Sequence, residues 1–185
     1  MWTPSSSSDP RALALVDGTG RWEGHGPHYS RRTPGSRTFV GAGRQLVLVT
    51  EEGDAVWSVI YQRTPAPVGS GSSRGRTGET ADRPYLWRNN LFRRMPGAPL
   101  ASDLIREATK TTYGWWLDIY RELPDVRLRT EVRLQGSNPG YCYQVAGWER
   151  AGLTVGHNAK KRILYAPAPT PGDVVGSYYP LFRRP

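Results

Sequence analysis

Residues 85–134, with the sequence YLWRNNLFRRMPGAPLASDLIREATKTTYGWWLDIYRELPDVRLRTEVRL, contain the pattern that decides the fold. Residues 85–94 mix apolar and polar side chains as a strand does, and residues 126–134 alternate between the two classes as a half-buried strand should. Between them, from about residue 100 to residue 121, apolar residues recur at helical spacing. A strand, a helix and a second strand in this order predict a βαβ crossover and a parallel strand pair.

The predicted helix carries its own start and stop signals. Pro99 suits a first helical turn, and Ser102 and Asp103 can serve the free N–H groups there. Leu123-Pro124 ends the helix, because a residue before proline avoids the helical conformation. Its apolar face consists of Leu100, Leu104, Ile105, Ala108 and either Trp115 or Trp116.

Further strands and helices are predicted on both sides of this unit. Residues 45–50 (QLVLVT) and 55–62 (AVWSVIYQ) have strand composition and are separated by a turn containing Gly53, so they predict an antiparallel hairpin. Residues 141–146 predict a short helix and residues 162–166 a last strand. Together these elements predict an α/β (α+β) domain with a mixed, mostly antiparallel central sheet, one βαβ crossover and flanking helices.

The length of 185 residues fits a single domain with tails. Residues 1–10, which include four consecutive serines, predict a flexible N-terminal segment. The domain is expected to span residues 11–168 and to begin with an apolar run at residues 12–16 that fits a strand or a helix. Residues 64–84 have almost no large apolar side chains and predict a flexible insertion. Residues 169–185 are expected to form a C-terminal tail.

The protein is strongly basic. It has 25 Lys and Arg against 16 Asp and Glu, which gives a formal net charge of +9 at pH 7. A positive surface attracts polyanions through counterion release, so a nucleic acid is the expected partner. Only three of the basic residues are lysines, and a bias towards Arg, Ala, Gly and Pro also follows from GC-rich coding, which is the alternative explanation.

Several classes of protein are disfavoured by what the sequence lacks. Cys142 is its only cysteine, which excludes an internal disulfide and an all-cysteine zinc site. No stretch is long and apolar enough for a membrane span, and residues 1–10 have neither the basic start nor the apolar core of a secretion signal. GxSxG and GxxxxGK[ST] motifs are also missing, which argues against hydrolases and nucleoside triphosphatases. We therefore expect a cytoplasmic protein without a membrane partner.

Residues 138–152 (NPGYCYQVAGWERAG) resemble the asparagine, tyrosine and glycine-aromatic signature of the GNAT acyltransferases. The order of hairpin, strand, helix, strand, short helix and strand is also similar to that of the family, so the resemblance implies a GNAT-like sheet. It further implies that Tyr143 lies near the reacting centre, where a phenol can protonate the leaving thiolate of coenzyme A. Tyr143 equally fits a core aromatic residue, and Tyr141 is a weaker rival for the catalytic role.

Residues 94–99 (RMPGAP) partly match the family's pyrophosphate loop, in which backbone N–H groups at a helix N-terminus hold the cofactor phosphates. The resemblance makes Arg94, Gly97 and Ser102 candidates for binding an acyl-CoA donor. Pro99 departs from the family pattern, which has Gly or Ala at this position, because proline lacks an N–H group and adds bulk. A donor other than coenzyme A is therefore the alternative.

The segment His28-Tyr29-Ser30-Arg31-Arg32, followed by the hairpin, resembles the opening of the Mom-like proteins. These are bacteriophage relatives of the GNAT enzymes that modify adenine in DNA to evade restriction. The resemblance covers about residues 25–153 and includes residues 101–105 (ASDLI), Thr130-Glu131 and residues 143–148 (YQVAGW). It implies that His28, Tyr29, Glu131 and Tyr143 are catalytic residues and that Ser102, at the start of the helix, also takes part in the activity.

Two positions depart from the Mom-like pattern. Glu131 stands where the relatives have aspartate, and either Arg88 or its neighbour Asn89 takes the place of an arginine on the central strand. A histidine and a carboxylate that meet at the centre of the sheet could activate an adenine amino group or coordinate a metal ion, for which His28 is the candidate ligand. His28 also fits a plain surface residue, and Glu131 an ion-pair partner of Arg129 or Arg133.

Arginines are the expected contacts to the phosphates of DNA, because their guanidinium groups bind phosphate well. Two of the candidates lie beside the histidine-tyrosine pair, two lie in the predicted insertion and one lies on the central strand. They are Arg31, Arg32, Arg74, Arg76 and Arg88.

The leading hypothesis from the sequence is a phage-type or prophage-type enzyme in the bacterial cytoplasm that transfers an acyl-type group to adenine in DNA. The target base would have to be flipped out of the duplex. A first alternative is a coenzyme A-dependent N-acetyltransferase that acts on a small amine or a protein. A second alternative is a nucleic-acid-binding protein that has kept the GNAT scaffold and lost catalysis.

Overall fold

A computed structural model describes residues 1–17, 43–63, 84–134, 137–155 and 160–170. The predicted insertion at residues 64–84 and the predicted tail at residues 169–185 fall almost entirely outside these ranges. In chain order the described elements are β1 (Trp2–Ser5), α1 (Pro10–Asp17), β2 (Arg44–Thr50), β3 (Ala55–Arg63), β4 (Tyr85–Arg94), α2 (Ala101–Tyr120), β5 (Arg129–Arg133), α3 (Tyr141–Val145), β6 (Glu149–Val155) and β7 (Lys160–Tyr165).

The strands form one seven-stranded sheet with the order β1-β2-β3-β4-β5-β7-β6. Neighbouring strands are antiparallel except for β4 and β5, which are parallel and are connected by α2. This confirms the mixed, mostly antiparallel sheet and the βαβ crossover. No helix within the described ranges is both long and apolar enough to cross a membrane.

The sheet has a hydrophobic core on each face. The larger core lies between the sheet, α2 and α3, and it includes the fully buried Trp57 and Trp116. The smaller core lies between the sheet and α1, where Leu15 packs with Val49 and Leu91. Both faces of β2 and β3 are therefore covered, which explains why most of their residues are buried.

Buried threonines of α2 anchor the helix to the sheet. The indole nitrogen of Trp57 donates a hydrogen bond to the hydroxyl of Thr112 (3.0 Å), and that of Trp148 donates to Thr109 (3.1 Å). Each threonine hydroxyl in turn donates to the carbonyl oxygen one helical turn earlier. The indole nitrogens of Trp57 and Trp148 and the hydroxyls of Thr109 and Thr112 are thus paired, and they fix the rotation of α2 about its axis.

A bulge interrupts the pairing of β3 with β4. Ser58 pairs with Leu91 and Val59 with Asn89, so Asn90 is the extra residue. Because of this extra residue, Asn89 faces α3 while Leu91 faces α1. The mixed pattern of apolar and polar residues at positions 85–94 therefore reflects a change of face within one strand.

Residues 1–10, predicted as a flexible segment, are instead ordered as part of the sheet. Residues 2–5 form β1, which pairs with β2, and Trp2 is buried and donates its indole N–H to the carbonyl oxygen of Leu104. The prediction was wrong because it was based on the serine-rich composition of this segment. It did not allow for the burial of Trp2, which holds the segment against the rest of the fold. The run at residues 12–16, left open between strand and helix, lies in α1, and β6 was not predicted.

Asp9 caps the start of α1. One of its carboxylate oxygens accepts from the backbone N–H of Arg11 (2.8 Å), and Pro10 occupies the first helical position, which suits its fixed φ. Burial alone would raise the pKa of Asp9, but hydrogen bonds from Arg11 and Ser5 outweigh it and hold the pKa at about 2. The ionised carboxylate is therefore stabilised by folding.

We predict that Asp9→Ala lowers the free energy of unfolding by about 1 kcal/mol at neutral pH. Because the folded-state pKa lies below the ordinary value of 3.8, the charge contributes fully above that value and its contribution is lost as the pH falls towards 2. Urea unfolding of both proteins at several pH values measures the difference. Glu107→Ala, on the exposed side of α2, is the control, and a wild-type advantage that stays constant down to pH 2 would contradict the prediction.

Candidate functional site

The parallel strands β4 and β5 are paired at only two positions, Arg88 with Arg129 and Asn89 with Thr130. Beyond these positions the structure pairs β4 only with β3 and β5 only with β7, although β4 continues to Arg94 and β5 to Arg133. The carboxyl-terminal parts of the two strands, residues 90–94 and 131–133, therefore border a break in the sheet. We call this break the β4–β5 opening.

Asn89 lies where the parallel pairing ends, and its buried side chain connects four parts of the fold. The amide nitrogen donates to the carbonyl oxygens of Ser58 (2.9 Å) and Leu91 (2.8 Å), beside the bulge. The amide oxygen accepts from the hydroxyl groups of Tyr143 (2.7 Å) and Thr130 (3.3 Å). Both amide hydrogens and both acceptor positions of Asn89 are thus used.

Tyr143 projects from α3 towards this amide and is only 7% exposed. Its ring contacts those of Trp57, Phe92 and Trp148, with centroid distances of 6.4, 6.5 and 5.1 Å. The apolar surroundings and the bond to Asn89 give its hydroxyl hydrogen a fixed direction. Tyr143 is therefore a core aromatic residue whose hydroxyl donates a hydrogen bond at the edge of the β4–β5 opening.

Gly140 sets the position of α3, because it precedes the helix in the left-handed conformation with φ of 80°. A Cβ atom at this position would lie 3.1 Å from a methyl carbon of Leu164, so a side chain would be both strained and crowded. Close packing of this turn against β7 brings Tyr143 within reach of Asn89.

The loop between β4 and α2, residues 95–100, borders the same end of the opening. Arg94, expected to bind a cofactor, donates from its guanidinium group to the carbonyl oxygen of Ala98 (3.0 Å), and the N–H of Ala98 donates to Met95 (3.2 Å). Gly97 has φ of +87°, and a Cβ atom there would meet nothing within 4 Å. The loop is therefore a closed turn, braced by Arg94, with open space at Gly97.

The N-terminus of α2 has no side-chain cap. Ser102 and Asp103 were expected to serve its N–H groups, but Leu100 is the capping residue and Asp103 pairs with Arg106 (2.7 Å). Among the described residues no acceptor takes the amide hydrogens of Ala101 and Ser102. These hydrogens, at the positive end of a 20-residue helix, suit an anion.

Cys142, next to Tyr143, is not an activated nucleophile. Burial raises the pKa of its thiol above the ordinary value of 9.0, while backbone hydrogen bonds and the charge of Arg94 act in the opposite direction. The thiol is thus protonated at neutral pH, and a protonated thiol is a poor nucleophile. Covalent catalysis by this cysteine is therefore disfavoured.

Glu131 and Tyr143 lie on opposite faces of the sheet. Thr130 and Val132 face the core that contains Tyr143, so the alternation along β5 turns Glu131 the other way. The carboxylate of Glu131 pairs there with Arg129 (2.8 Å) and Lys161 (3.4 Å). The ion pair with Arg129 was one of the two interpretations that the sequence left open.

Of the two residues considered for the place of the central-strand arginine, Asn89 faces Tyr143. Arg88 points to the opposite face, which it shares with Glu131, because neighbouring residues of a strand alternate. The sequence suggested Asn89 only as an alternative to Arg88, and its hydrogen bonds were not predicted. The contacts of Thr130 and Ser58 with Asn89 were not predicted either. An asparagine between Trp87 and Leu91 in the middle of a strand was the available signal.

Half of the predicted site residues lie outside the described ranges, including both members of the histidine-tyrosine pair. These residues are His28, Tyr29, Arg31, Arg32, Arg74 and Arg76. Within the described ranges, no group of three His, Cys, Asp or Glu side chains could hold a metal ion. The metal role considered for His28 stays a prediction.

No protein-family model, curated protein or solved structure matches the chain.

We predict that the bond between Tyr143 and Asn89 couples the two residues energetically. Tyr143→Phe should lower the free energy of unfolding by about 1 kcal/mol, and Asn89→Ala by about 3 kcal/mol because several buried groups lose their partner. In the double variant, the losses should fall short of additivity by about 1 kcal/mol.

Denaturant unfolding of the single and double variants measures this coupling. Tyr113→Phe is the matched control, because Tyr113 is also buried and donates to a backbone carbonyl, that of Pro167. The loss of unfolding free energy caused by Tyr113→Phe should add to the loss caused by Asn89→Ala. Strict additivity for Tyr143 as well would show that the two side chains are not coupled.

Proposed function

We propose that the protein is a GNAT-type acyltransferase that modifies a base of nucleic acid, with adenine in DNA as the expected acceptor. Transfer takes place at the β4–β5 opening. The observation that carries this proposal is the buried hydroxyl of Tyr143, held by Asn89 where the pairing of β4 with β5 ends.

The form of the sheet supports this location. In open sheets of mixed proteins, ligands bind in the crevice at the carboxyl ends of parallel strands. Here β4 and β5 are the parallel pair of the described sheet, and their pairing stops after two positions. A ligand can therefore enter the sheet where a proton donor is already fixed.

The residues near α2 fit the phosphate part of an acyl-CoA donor. The amides of Ala101 and Ser102 would hold a phosphate at the positive end of the helix, and Gly97 leaves room beside them. Pro99 reduces the number of amides that the preceding loop offers, but it does not affect those of the helix itself. When bound, acyl-CoA supplies the acyl group as a thioester.

Residues on the two faces of the sheet have different tasks in this reaction. With the donor bound, the hydroxyl of Tyr143 would turn from Asn89, to which it donates in this structure, and would protonate the leaving group on the α3 side. Asn89 holds the hydroxyl beside the opening until then. The amino group of the acceptor would approach from the opposite face, where Glu131 lies, and would pass its proton to this carboxylate. The resemblance implies His28 as a further candidate base, and this residue lies outside the described ranges. The opening separates the departing group from the incoming base.

The charge of the protein supports a nucleic acid as the acceptor. The formal net charge of +9 favours a polyanion over a small neutral amine. A base in a duplex has to leave the stack before its amino group reaches the opening. A flipped adenine presents this amino group on its exposed edge.

Mass spectrometry of nucleosides from bacteria that express the protein tests the proposal. We expect a modified nucleoside with the wild-type protein and a loss of at least about a hundredfold with Tyr143→Phe, because a proton donor contributes on this scale. Tyr113→Phe removes a comparable buried hydroxyl away from the opening and should leave the product in place.

Unmodified DNA in cells that contain soluble wild-type protein would contradict the proposal. Transfer from acetyl-CoA to an amine or a protein would then select the first alternative. Salt-sensitive DNA binding without any base change would select a non-catalytic binding protein. Equal losses in the two tyrosine variants would show that Tyr143 acts only through stability.

A further inference from the structure

The helix α3 is too short to hold its position by itself. It has five residues, and Gly140 at its start supplies no side-chain cap. Isolated helices of this length are unstable in water, so contacts with other elements have to keep α3 in place. Among the described residues, two arginines bind backbone carbonyl groups near the two ends of α3. They are Arg162 of β7 and Arg106 of α2.

Arg162 binds the turn that leads into α3. Its guanidinium group donates a hydrogen bond to the carbonyl oxygen of Pro139 at a distance of 2.7 Å. No backbone N–H group in the described ranges donates to this oxygen. Arg162 therefore satisfies an acceptor that the turn leaves open, and a hydrogen bond from a charged donor is stronger than one between neutral groups.

The restraint at the other end of α3 is weaker. Arg106 donates to the carbonyl oxygen of Val145 (3.0 Å), but its side chain is 46% exposed and also pairs with Asp103. Interactions at such an exposed position contribute little, because water and salt screen them and a long side chain has to be ordered. Arg162 therefore supplies the stronger of the two restraints.

The position of Arg162 on β7 explains why it reaches this turn. Leu164 faces the large core, and side chains two residues apart on a strand share a face, so Arg162 points to the side on which α3 lies. Its neighbour on β5 is Val132, which packs against the same core. Arginine is rarely placed on the inner face of a sheet, and the contact with Pro139 accounts for it here.

The segment that Arg162 binds also carries Tyr143, which lies four residues after Pro139. The turn packs closely against β7, because a Cβ atom at Gly140 would lie 3.1 Å from a methyl carbon of Leu164. At its other side the segment reaches β4, where the hydroxyl of Tyr143 binds Asn89. The segment therefore extends from β7 to β4 across the β4–β5 opening, and a shift of the turn is passed on to Tyr143.

We propose that Arg162 is a positioning residue that holds Tyr143 at the β4–β5 opening. In the proposed transfer the hydroxyl of Tyr143 turns from Asn89 towards the leaving group, so its bond to β4 is lost at this step. The bond of Arg162 to Pro139 does not involve this hydroxyl and keeps the turn in place while the hydroxyl moves. A displacement of about 1 Å near reacting atoms can cost about a hundredfold in rate. The catalytic value of the restraint rests on the proposed function, but the restraint itself does not.

The thiol of Cys142 reports on the position of α3, because it is next to Tyr143 and belongs to the only cysteine of the chain. Burial raises the pKa of this thiol and so slows its reaction with iodoacetamide, which needs the thiolate. Loosening of α3 exposes the thiol and should raise the rate. Labelling is measured at several low urea concentrations, because local opening depends little on urea whereas global unfolding depends on it strongly.

In Arg162→Met, which keeps an unbranched side chain and removes its donors, we expect labelling to be about tenfold faster or more. Arg162→Lys keeps a positive donor without the planar guanidinium group and should label about threefold faster. Arg127→Met is the matched control. Arg127 also donates to a backbone carbonyl, that of Ala166 (2.8 Å), which belongs neither to α3 nor to the turn before it. This control should change the rate by less than about twofold.

Unchanged labelling in both Arg162 variants, or an equal rise in Arg127→Met, would overturn the inference. A rise that depends on urea as steeply as global unfolding does would also overturn it, because Arg162 would then act on the whole fold. If Arg162→Met does not fold, Arg162→Lys carries the same test with its smaller expected change.

Labelling needs neither a donor nor a nucleic acid, so the two proposals can fail separately. Where the wild-type protein produces the modified nucleoside, Arg162→Met should lower its amount by about tenfold or more, Arg162→Lys by less, and Arg127→Met not at all. Faster labelling of Arg162→Met, in a protein whose wild type leaves DNA unmodified, would overturn only the proposed function. A modified nucleoside at an unchanged level in Arg162→Met would overturn only the positioning role of Arg162.

Discussion

The hydrogen bonds of Asn89 are the interaction on which the centre of this protein depends. A bulge in β4 leaves the carbonyl oxygens of Ser58 and Leu91 beside the amide nitrogen of Asn89, which donates to both. The amide oxygen takes the hydroxyl hydrogens of Tyr143 and Thr130. A buried amide without hydrogen-bond partners costs several kcal/mol. The hydrogen bonds of Asn89 therefore hold β3, β4, β5 and α3 in fixed positions relative to one another.

This constraint also divides the site between two faces. Tyr143 and the start of α2 lie with the large aromatic core, where a buried hydroxyl and a helix N-terminus without a side-chain cap are close to β4. Glu131 lies on the other face, among cations. A two-sided opening of this kind allows the donor and the acceptor of a transfer reaction to approach without competing for the same space.

Periodicity and turn residues predicted much of the fold, because these signals are local. The hairpin, β4, α2 and the short helix carrying Tyr143 were predicted within a few residues of their observed bounds. Local signals were misleading where a tertiary contact decides the structure. Trp2 orders β1 by packing under α2, and Glu131 faces away from Tyr143 because of the alternation along β5. Candidate residues could thus be found from the sequence, but the face on which each lies could not.

The most direct test of the β4–β5 opening as the reaction centre is a crystal structure of the protein with coenzyme A. We predict that the thiol end lies between residues 90–94 and 131–133, within hydrogen-bonding distance of the hydroxyl of Tyr143, and that a phosphate contacts the amides of Ala101 and Ser102. A pairing of β4 with β5 that continues past Asn89 and Thr130, or coenzyme A bound away from the opening, would contradict the account.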